Sequence, residues 1–239
     1  MLEIMNLSSS SKGNCYYVSD GVSSLLLDPG IRYKDIQKAI SFGVSELSAA
    51  LLSHDHKDHS KAVSDLIKAG IDCYMSPGTA KILNLNSHRI HRVSALKQFA
   101  VGSWTILPFD VQHDAIEPIG FLLQSGKKKV LYATDTYYIK YKFSALSHII
   151  IECNYSKELL NKNLESGLLP ATHKNRVLKS HMALETVMEF LKANDLSKVE
   201  GIYLIHLSDQ NSDAVMFKRY IQGLTGKPTY IAGEKGGWE

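Results

Sequence analysis

Six residues constrain this chain more than any others: His54-Asp55-His56-Lys57-Asp58-His59, placed directly behind an apolar run over 49–53. Three imidazoles and two carboxylates follow a stretch that reads as a buried strand, so they stand where the chain leaves the core. His54 and His56 are two residues apart, so in an extended or turning segment their side chains leave on the same side. Asp58 and His59 fall at the start of the next helix and can turn toward a neighbouring point. The segment can therefore offer a pair of ligands to each of two adjacent metal ions. Imidazole with carboxylate suits Zn, Mn or Fe, and the lack of thiolate argues against a structural cysteine-type zinc site. The competing reading is a solvated, histidine-rich loop, which explains neither the strand before it nor the helix after it.

The rest of the chain reads as α/β. Strands are predicted over 3–7, 14–19, 23–28, 49–53, 71–75, 103–112, 120–124, 130–134, 148–152 and 202–205, with a terminal one over 228–231. Helices are predicted over 34–42, 62–69, 155–160, 183–193 and 214–224, and another is opened by Ser76-Pro77-Gly78. This pattern implies two sheets between helices. No repeat, low-complexity tract or linker divides the chain, so residues 1–239 are expected to form a single domain. No apolar run reaches the ~20 residues of a membrane helix, and the first residues do not resemble a secretion signal. Cys15, Cys73 and Cys153 are odd in number and far apart, which suits reduced thiols and a cytoplasmic location. The net charge of +3 tolerates a polyanionic partner without demanding one.

The pattern H-x-H-x-D-H behind a buried strand resembles the signature of the metallo-β-lactamase superfamily, and further marks follow in order. Leu27-Asp28-Pro29-Gly30 resembles its early Asp-x-Gly, and Val111-Gln112-His113-Asp114 its third strand-end histidine. Thr134-Asp135-Thr136 resembles the bridging aspartate, and Ile205-His206-Leu207-Ser208 the late histidine in the H-x-S form of nuclease members. The resemblance implies a four-layer αββα sandwich of two mixed β-sheets flanked by helices. It further implies one metal on His54, His56 and His113, a second on Asp58, His59 and His206, and Asp135 bridging. Asp28 would orient the histidine loop. Asp55 would be a non-ligand aspartate that orients water or shuttles its proton, or a turn cap. Zinc is the first expectation for the two divalent ions, with Mn or Fe compatible.

The segment Ser8-Ser9-Ser10-Ser11-Lys12-Gly13-Asn14-Cys15 is similar to one found in the YycJ/WalJ-like exonuclease branch, and Lys179-Ser180-His181-Met182-Ala183 approximates that branch's G-H-L-S. The implied activity is a dinuclear phosphodiesterase or nuclease on DNA or RNA, working through a metal-bridging hydroxide. The rival is a small-molecule hydrolase of the same fold. His181 is expected at a helix N-terminus, contacting phosphate or protonating a leaving oxygen. The loop 8–14 either offers donors to a phosphate or is an ordinary turn. Basic clusters at 88–92 and at His173, Lys174, Arg176 and Lys179 favour nucleic acid as partner, whereas Lys127–Lys129 reads as a solvated turn. Tyr137, Tyr138 and Tyr141 could stack bases or pack in the core. His148 reads as structural, and Glu152 as a supporting residue behind the ligands.

Overall fold

A computed structural model describes residues 1–168 and 170–233; the side chains of 171–173 lie outside the description, and with them that of His173. The described chain forms two compact units. Unit 1 comprises Met1–Asp110, Ala115–Lys127 and Gly233, and unit 2 comprises Val111–Asp114 and Lys128–Ala232.

Unit 1 begins with β1 (Glu3–Ser8), β2 (Cys15–Ser19) and β3 (Ser24–Leu27), an antiparallel meander. α1 (Tyr33–Ala39) and a short 3-10 turn (Gly43–Glu46) lead to β4 (Leu47–Leu51). α2 (Lys57–Ser60), α3 (Val63–Lys68), β5 (Cys73–Met75), α4 (Pro77–Ile82) and β6 (Ile90–Arg92) follow. From β3 to β6 the pairing is parallel, so the six-stranded sheet is mixed. Parallel neighbours need helical crossovers, and α1 through α4 supply them. Their apolar faces, Ile36, Val63, Leu66 and Ala80, pack with Leu26, Ala50 and Cys73 of the sheet into one core. β7 (Phe99–Val101), β8 (Trp104–Asp110) and β9 (Ile119–Ser125) form a second antiparallel meander.

Unit 2 is built on β10 (Lys128–Ala133), β11 (His148–Glu152), β12 (Gly201–Ile205) and β13 (Thr229–Ile231), all parallel. β11 and β12 are buried at every position, as strands covered on both faces must be. The crossovers carry α5 (Lys157–Glu165), α6 (Ala171–Ser180), α7 (Leu184–Ala193) and α8 (Ala214–Thr225). Ser156 and Asp213 cap α5 and α8 by accepting from the N–H groups of Leu159 and Met216.

Most predicted elements appear, with edges shifted by a few residues. β6, β7 and α6 were not expected. The 88–92 cluster changes meaning: Arg89 is ion-paired with Asp72 at 3.0 Å, and the His91 ring stacks on Tyr74 at 4.5 Å, so the cluster dresses a strand. Lys128 of the 127–129 run is paired with Glu200.

Candidate metal centre

Unit 1 gathers its donors at the ends of two adjacent parallel strands. Leu27 pairs with Leu51, which brings Asp28 and Ser53 side by side. Asp28 is fully buried in the left-handed region, φ 50°, and its carboxylate works as a hub. Oδ1 accepts the Ser53 N–H at 2.7 Å; Oδ2 accepts the Ser53 hydroxyl at 2.7 Å and His59 Nδ1–H at 2.9 Å. With its own proton committed to Asp28, Ser53 Oγ accepts from His54 Nδ1–H at 2.9 Å. One carboxylate thus orients His59 directly and His54 through a hydroxyl. The rings of His54 and His56 lie 4.6 Å apart, and those of His54 and His59 4.3 Å apart. Asp58 Oδ2 stands 3.4 Å from His59 Nε2. His54, His56, Asp58 and His59 are therefore brought together as the sequence suggested.

Two further residues of unit 1 set this loop. A Cβ on Gly30 would overlap the backbone carbonyl of Asp58, so only glycine lets the Asp28 turn and the ligand loop touch. Asn14, fully buried, points its amide Nδ2 at His59 Nε2 (3.0 Å) and at Asp58 Oδ2 (3.4 Å). The 8–14 loop is closed on itself by Ser8 Oγ donating to Gly13 O and Asn14 Nδ2 donating to Ser10 O. Its role in the fold is to hold Asn14 against the donors. Asp55 Oδ1 is buried with no hydrogen-bond partner among the described residues.

Unit 2 repeats the strand-end arrangement. Asp135 follows β10, Glu152 ends β11, and His206 follows β12. The parallel register, with Glu152 opposite Ile205, puts them on neighbouring strand ends. Asp135 and His206 both take left-handed backbone, φ 44° and 54°. Asp135 Oδ2 faces His113 Nε2 at 3.5 Å, and its Oδ1 lies 3.0 Å from His206 Nδ1. Glu152, fully buried, is the second hub: Oε1 accepts from His181 Nδ1 (2.6 Å) and His206 Nδ1 (2.9 Å), and Oε2 from the N–H groups of Thr136 (2.9 Å) and Met182 (3.1 Å). His113 Nδ1–H donates to Ser180 O at 2.9 Å.

His181 is not at a helix N-terminus. It caps the C-terminus of α6, its N–H donating to Val177 O, where the dipole favours a cation. Burial works against its charge, but the Glu152 carboxylate, the hydrogen bond to it, and Asp135 and Asp114 outweigh burial and lift the imidazole to about 9. Glu152 is held below its usual range: burial opposes this, and the charge and hydrogen bond of His181 carry it. Burial lowers His113, against the pull of Asp135 and Glu152.

Four histidines share one pattern. His54, His59, His113 and His206 each turn Nδ1–H to an oxygen, which makes Nε2 the unprotonated nitrogen of each ring; that of His59 faces the Asn14 amide. Two acceptor pairs lie close together, His59 Nε2 with Asp58 Oδ2 at 3.4 Å, both within reach of the Asn14 amide, and His113 Nε2 with Asp135 Oδ2 at 3.5 Å. That is about the edge of a tetrahedron with ~2.1 Å metal–ligand bonds. The donor chemistry fits divalent metal in both units.

Strand-end carboxylates and the imidazoles they orient, on an α/β framework of mixed sheets and helices, define a metal-dependent hydrolase of the metallo-β-lactamase fold. The chain belongs to the family described as the beta-lactamase superfamily domain, whose model matches residues 24–207. It is similar to the exodeoxyribonuclease WalJ of Streptococcus pneumoniae, 28% identical over 223 residues, 86% of this chain and 81% of the relative. It is also similar to the exodeoxyribonuclease YycJ of Bacillus anthracis, 26% identical over 224 residues, 86% of this chain and 82% of the relative. Among solved structures, the metallo-beta-lactamase fold protein YhfI from Bacillus subtilis superposes with a TM-score of 0.75 at 16% identity, covering 100% of both chains.

Proposed function

We propose that this chain is a dinuclear metal-dependent phosphodiesterase that acts as a nuclease, with DNA the first substrate to test. The observation that carries the reading is that His54, His59, His113 and His206 all turn Nδ1 to an oxygen, so that Nε2 is the nitrogen each ring would offer to a metal. One metal would be held by His54, His56 and His113, a second by Asp58, His59 and His206, with Asp135 shared. The family match over 24–207 runs through both units and supports reading 1–239 as one functional domain. Three buried free thiols suit a reducing, cytoplasmic setting.

When bound, two such metals supply an activated water and charge stabilisation for an in-line displacement at phosphorus. The chain's own groups do the rest. Asp55, with a buried carboxylate oxygen that has no hydrogen-bond partner among the described residues, would orient the attacking water and take its proton. His181, kept protonated by Glu152, would donate a proton to the leaving oxygen. Polyanion binding is supported by α6, which carries Lys174, Arg176 and Lys179 and no acidic residue. The relatives named exodeoxyribonucleases favour DNA over RNA. Zinc is the first metal to try and manganese the second.

The test is metal-free purification followed by Zn or Mn add-back, against 5′-labelled DNA and bis-p-nitrophenyl phosphate in parallel. Metal-dependent shortening of the DNA is expected. Turnover of the small diester alone would leave the metal reading standing and move the substrate to a small phosphodiester; turnover of neither would overturn both.

A further inference from the structure

Asn14 is a fully buried polar residue at the end of the serine-rich loop, and its main chain is bolted to the ligand loop. Its N–H donates to Asp58 O (2.7 Å), and its carbonyl accepts the Gly30 N–H (2.8 Å). The side chain is fixed as tightly. Nδ2 stands 3.1 Å from Ser10 O, 3.0 Å from His59 Nε2 and 3.4 Å from Asp58 Oδ2, while Oδ1 accepts from the hydroxyl of the buried Tyr16 at 3.2 Å. These contacts decide which way the amide faces. Turned over, it would set its oxygen against the Ser10 carbonyl and the Asp58 carboxylate, acceptor against acceptor. The NH₂ therefore faces inward, and Asn14 is a donor beside the candidate ligands, not one of them.

Two amide protons meet three acceptors. Ser10 O takes one, and His59 Nε2 and Asp58 Oδ2 lie within reach of the other. Because Nδ1–H of His59 is given to Asp28, its Nε2 carries a single lone pair, and the amide faces it. A divalent metal bound through Nε2 must take that same lone pair. An N–H and a metal cannot share it, so the amide has to give way when the metal binds. An interaction lost on binding is subtracted from the affinity, and one net amide hydrogen bond corresponds to about a 2–10-fold change in a binding constant.

We infer that Asn14 is a counter-donor that tunes the metal position at Asp58 and His59: its amide competes with the metal for the His59 lone pair and holds the affinity down. The inference rests on the reading of His59 as a ligand through Nε2, and adds to it a residue that regulates the same position. The main-chain bonds to Asp58 and Gly30 do not involve the side chain, so the ligand loop keeps its anchor when the amide is removed. Removing a residue that only oriented the donors would act with the opposite sign, weakening metal binding by about 10–100-fold.

The test is stepwise zinc competition against a chromophoric chelator with the full chain, where the step that His59→Ala abolishes marks the position in question. Asn14→Leu and Asn14→Ala remove the donor, and Tyr16→Phe leaves the amide in place but releases its oxygen. Urea unfolding in chelator checks the fold of each. In both Asn14 variants that step should tighten by about 2–10-fold, although the protein in chelator is less stable because the same hydrogen bonds are gone. Tyr16→Phe should move the step the same way by a smaller factor, and it alone decides should the Asn14 variants not fold. Zinc affinity unchanged or weaker in the folded variants overturns the inference, and a weaker one makes Asn14 a positioning residue or a ligand. If the wild type still binds two zinc ions, the metal reading survives that failure. A wild-type protein that binds neither zinc nor manganese refutes the metal reading and the inference together.

Discussion

Replacing Asp28 by Asn tests whether one buried carboxylate sets the tautomers of two proposed ligands, His59 and His54. The amide oxygen must remain opposite the Ser53 N–H, which it meets at 2.7 Å, because an NH₂ there would leave a buried backbone donor facing a donor. The NH₂ is then forced into the Oδ2 position, against the Ser53 hydroxyl and His59 Nδ1. Both must reverse. His59 becomes an acceptor at Nδ1 and carries its proton on Nε2, and Ser53, now accepting from the amide, donates to His54 Nδ1 and moves that ring's proton to Nε2 as well. Each misoriented ligand costs about 10–100-fold in metal affinity. Two together predict a loss on the order of 10³, or ~4 kcal/mol at 1.36 kcal/mol per decade. The metal-free fold should change by less than ~2 kcal/mol, since the shape is kept and most hydrogen bonds are remade with roles reversed. Zinc competition against a chromophoric chelator measures the first quantity, and urea unfolding in chelator the second. Ser53→Ala breaks only the His54 branch and should lose about 10–100-fold. Zinc affinity within threefold of wild type in a folded Asp28→Asn protein would refute the tautomer argument.

Two more expectations concern stability. His148 lies buried beside Tyr203, ring centroids 6.0 Å apart, and burial lowers its pKa to about 4, with Lys128 adding to and Glu200 opposing the shift. The folded state holds it neutral while the unfolded chain protonates it near 6.5, so this contribution is complete above about pH 6.5 and is lost as pH falls toward 4. At 1.36 kcal/mol per unit it is worth at most ~3 kcal/mol. Urea midpoints at pH 7.5 and 4.5 should therefore converge in His148→Gln relative to wild type, and an unchanged gap would assign the acid sensitivity elsewhere. In Gly30→Ala the new methyl meets the carbonyl of Asp58, so about 3 kcal/mol of overpacking and a melting point lower by ~6–12 °C are expected, with weakened zinc binding. A melting curve matching wild type would show that the ligand loop can move aside freely.

What the sequence disclosed follows from how local each cause is. His54 to His59 share one strand end, so their convergence depends on a few dihedral angles and on the buried run before them. Asp28, Asp135 and His206 were legible because each closes an apolar strand. Glu152 also ends a strand buried at every position, which marked it as a supporting residue. Its two imidazole partners, however, lie 29 and 54 residues away and are set by the parallel register. Asn14 meets Asp58 across 44 residues through a self-closed loop, and nothing in a run of serines announces it. α6 escaped notice because Ala171–Ser180 has little apolar periodicity, and it was that omission that misplaced His181 at a helix start. β6 and β7 are three residues each and mostly unburied, unlike the equally short β5 and β13, whose first and last residues are buried.

The backbone at the site shows why these residue types stand there. Asp28, Asp135 and His206 all have φ near 50°, where a non-glycine residue costs on the order of 1–3 kcal/mol. Glycine would remove that cost, and aspartate and histidine bear it better than β-branched residues do. At each position the strand must end and turn while a side chain stays fixed by hydrogen bonds. Ser53 and His59 hold Asp28, the Thr134 hydroxyl and His206 hold Asp135, and Glu152 holds the His206 ring while Asn154 binds its carbonyl at 2.8 Å. The strain is thus the consequence of asking one residue both to reverse the chain and to aim a donor. A glycine could perform only the first task and a β-branched residue neither. In this fold the three strained strand ends therefore carry either a candidate metal donor, Asp135 and His206, or the carboxylate that orients one, Asp28.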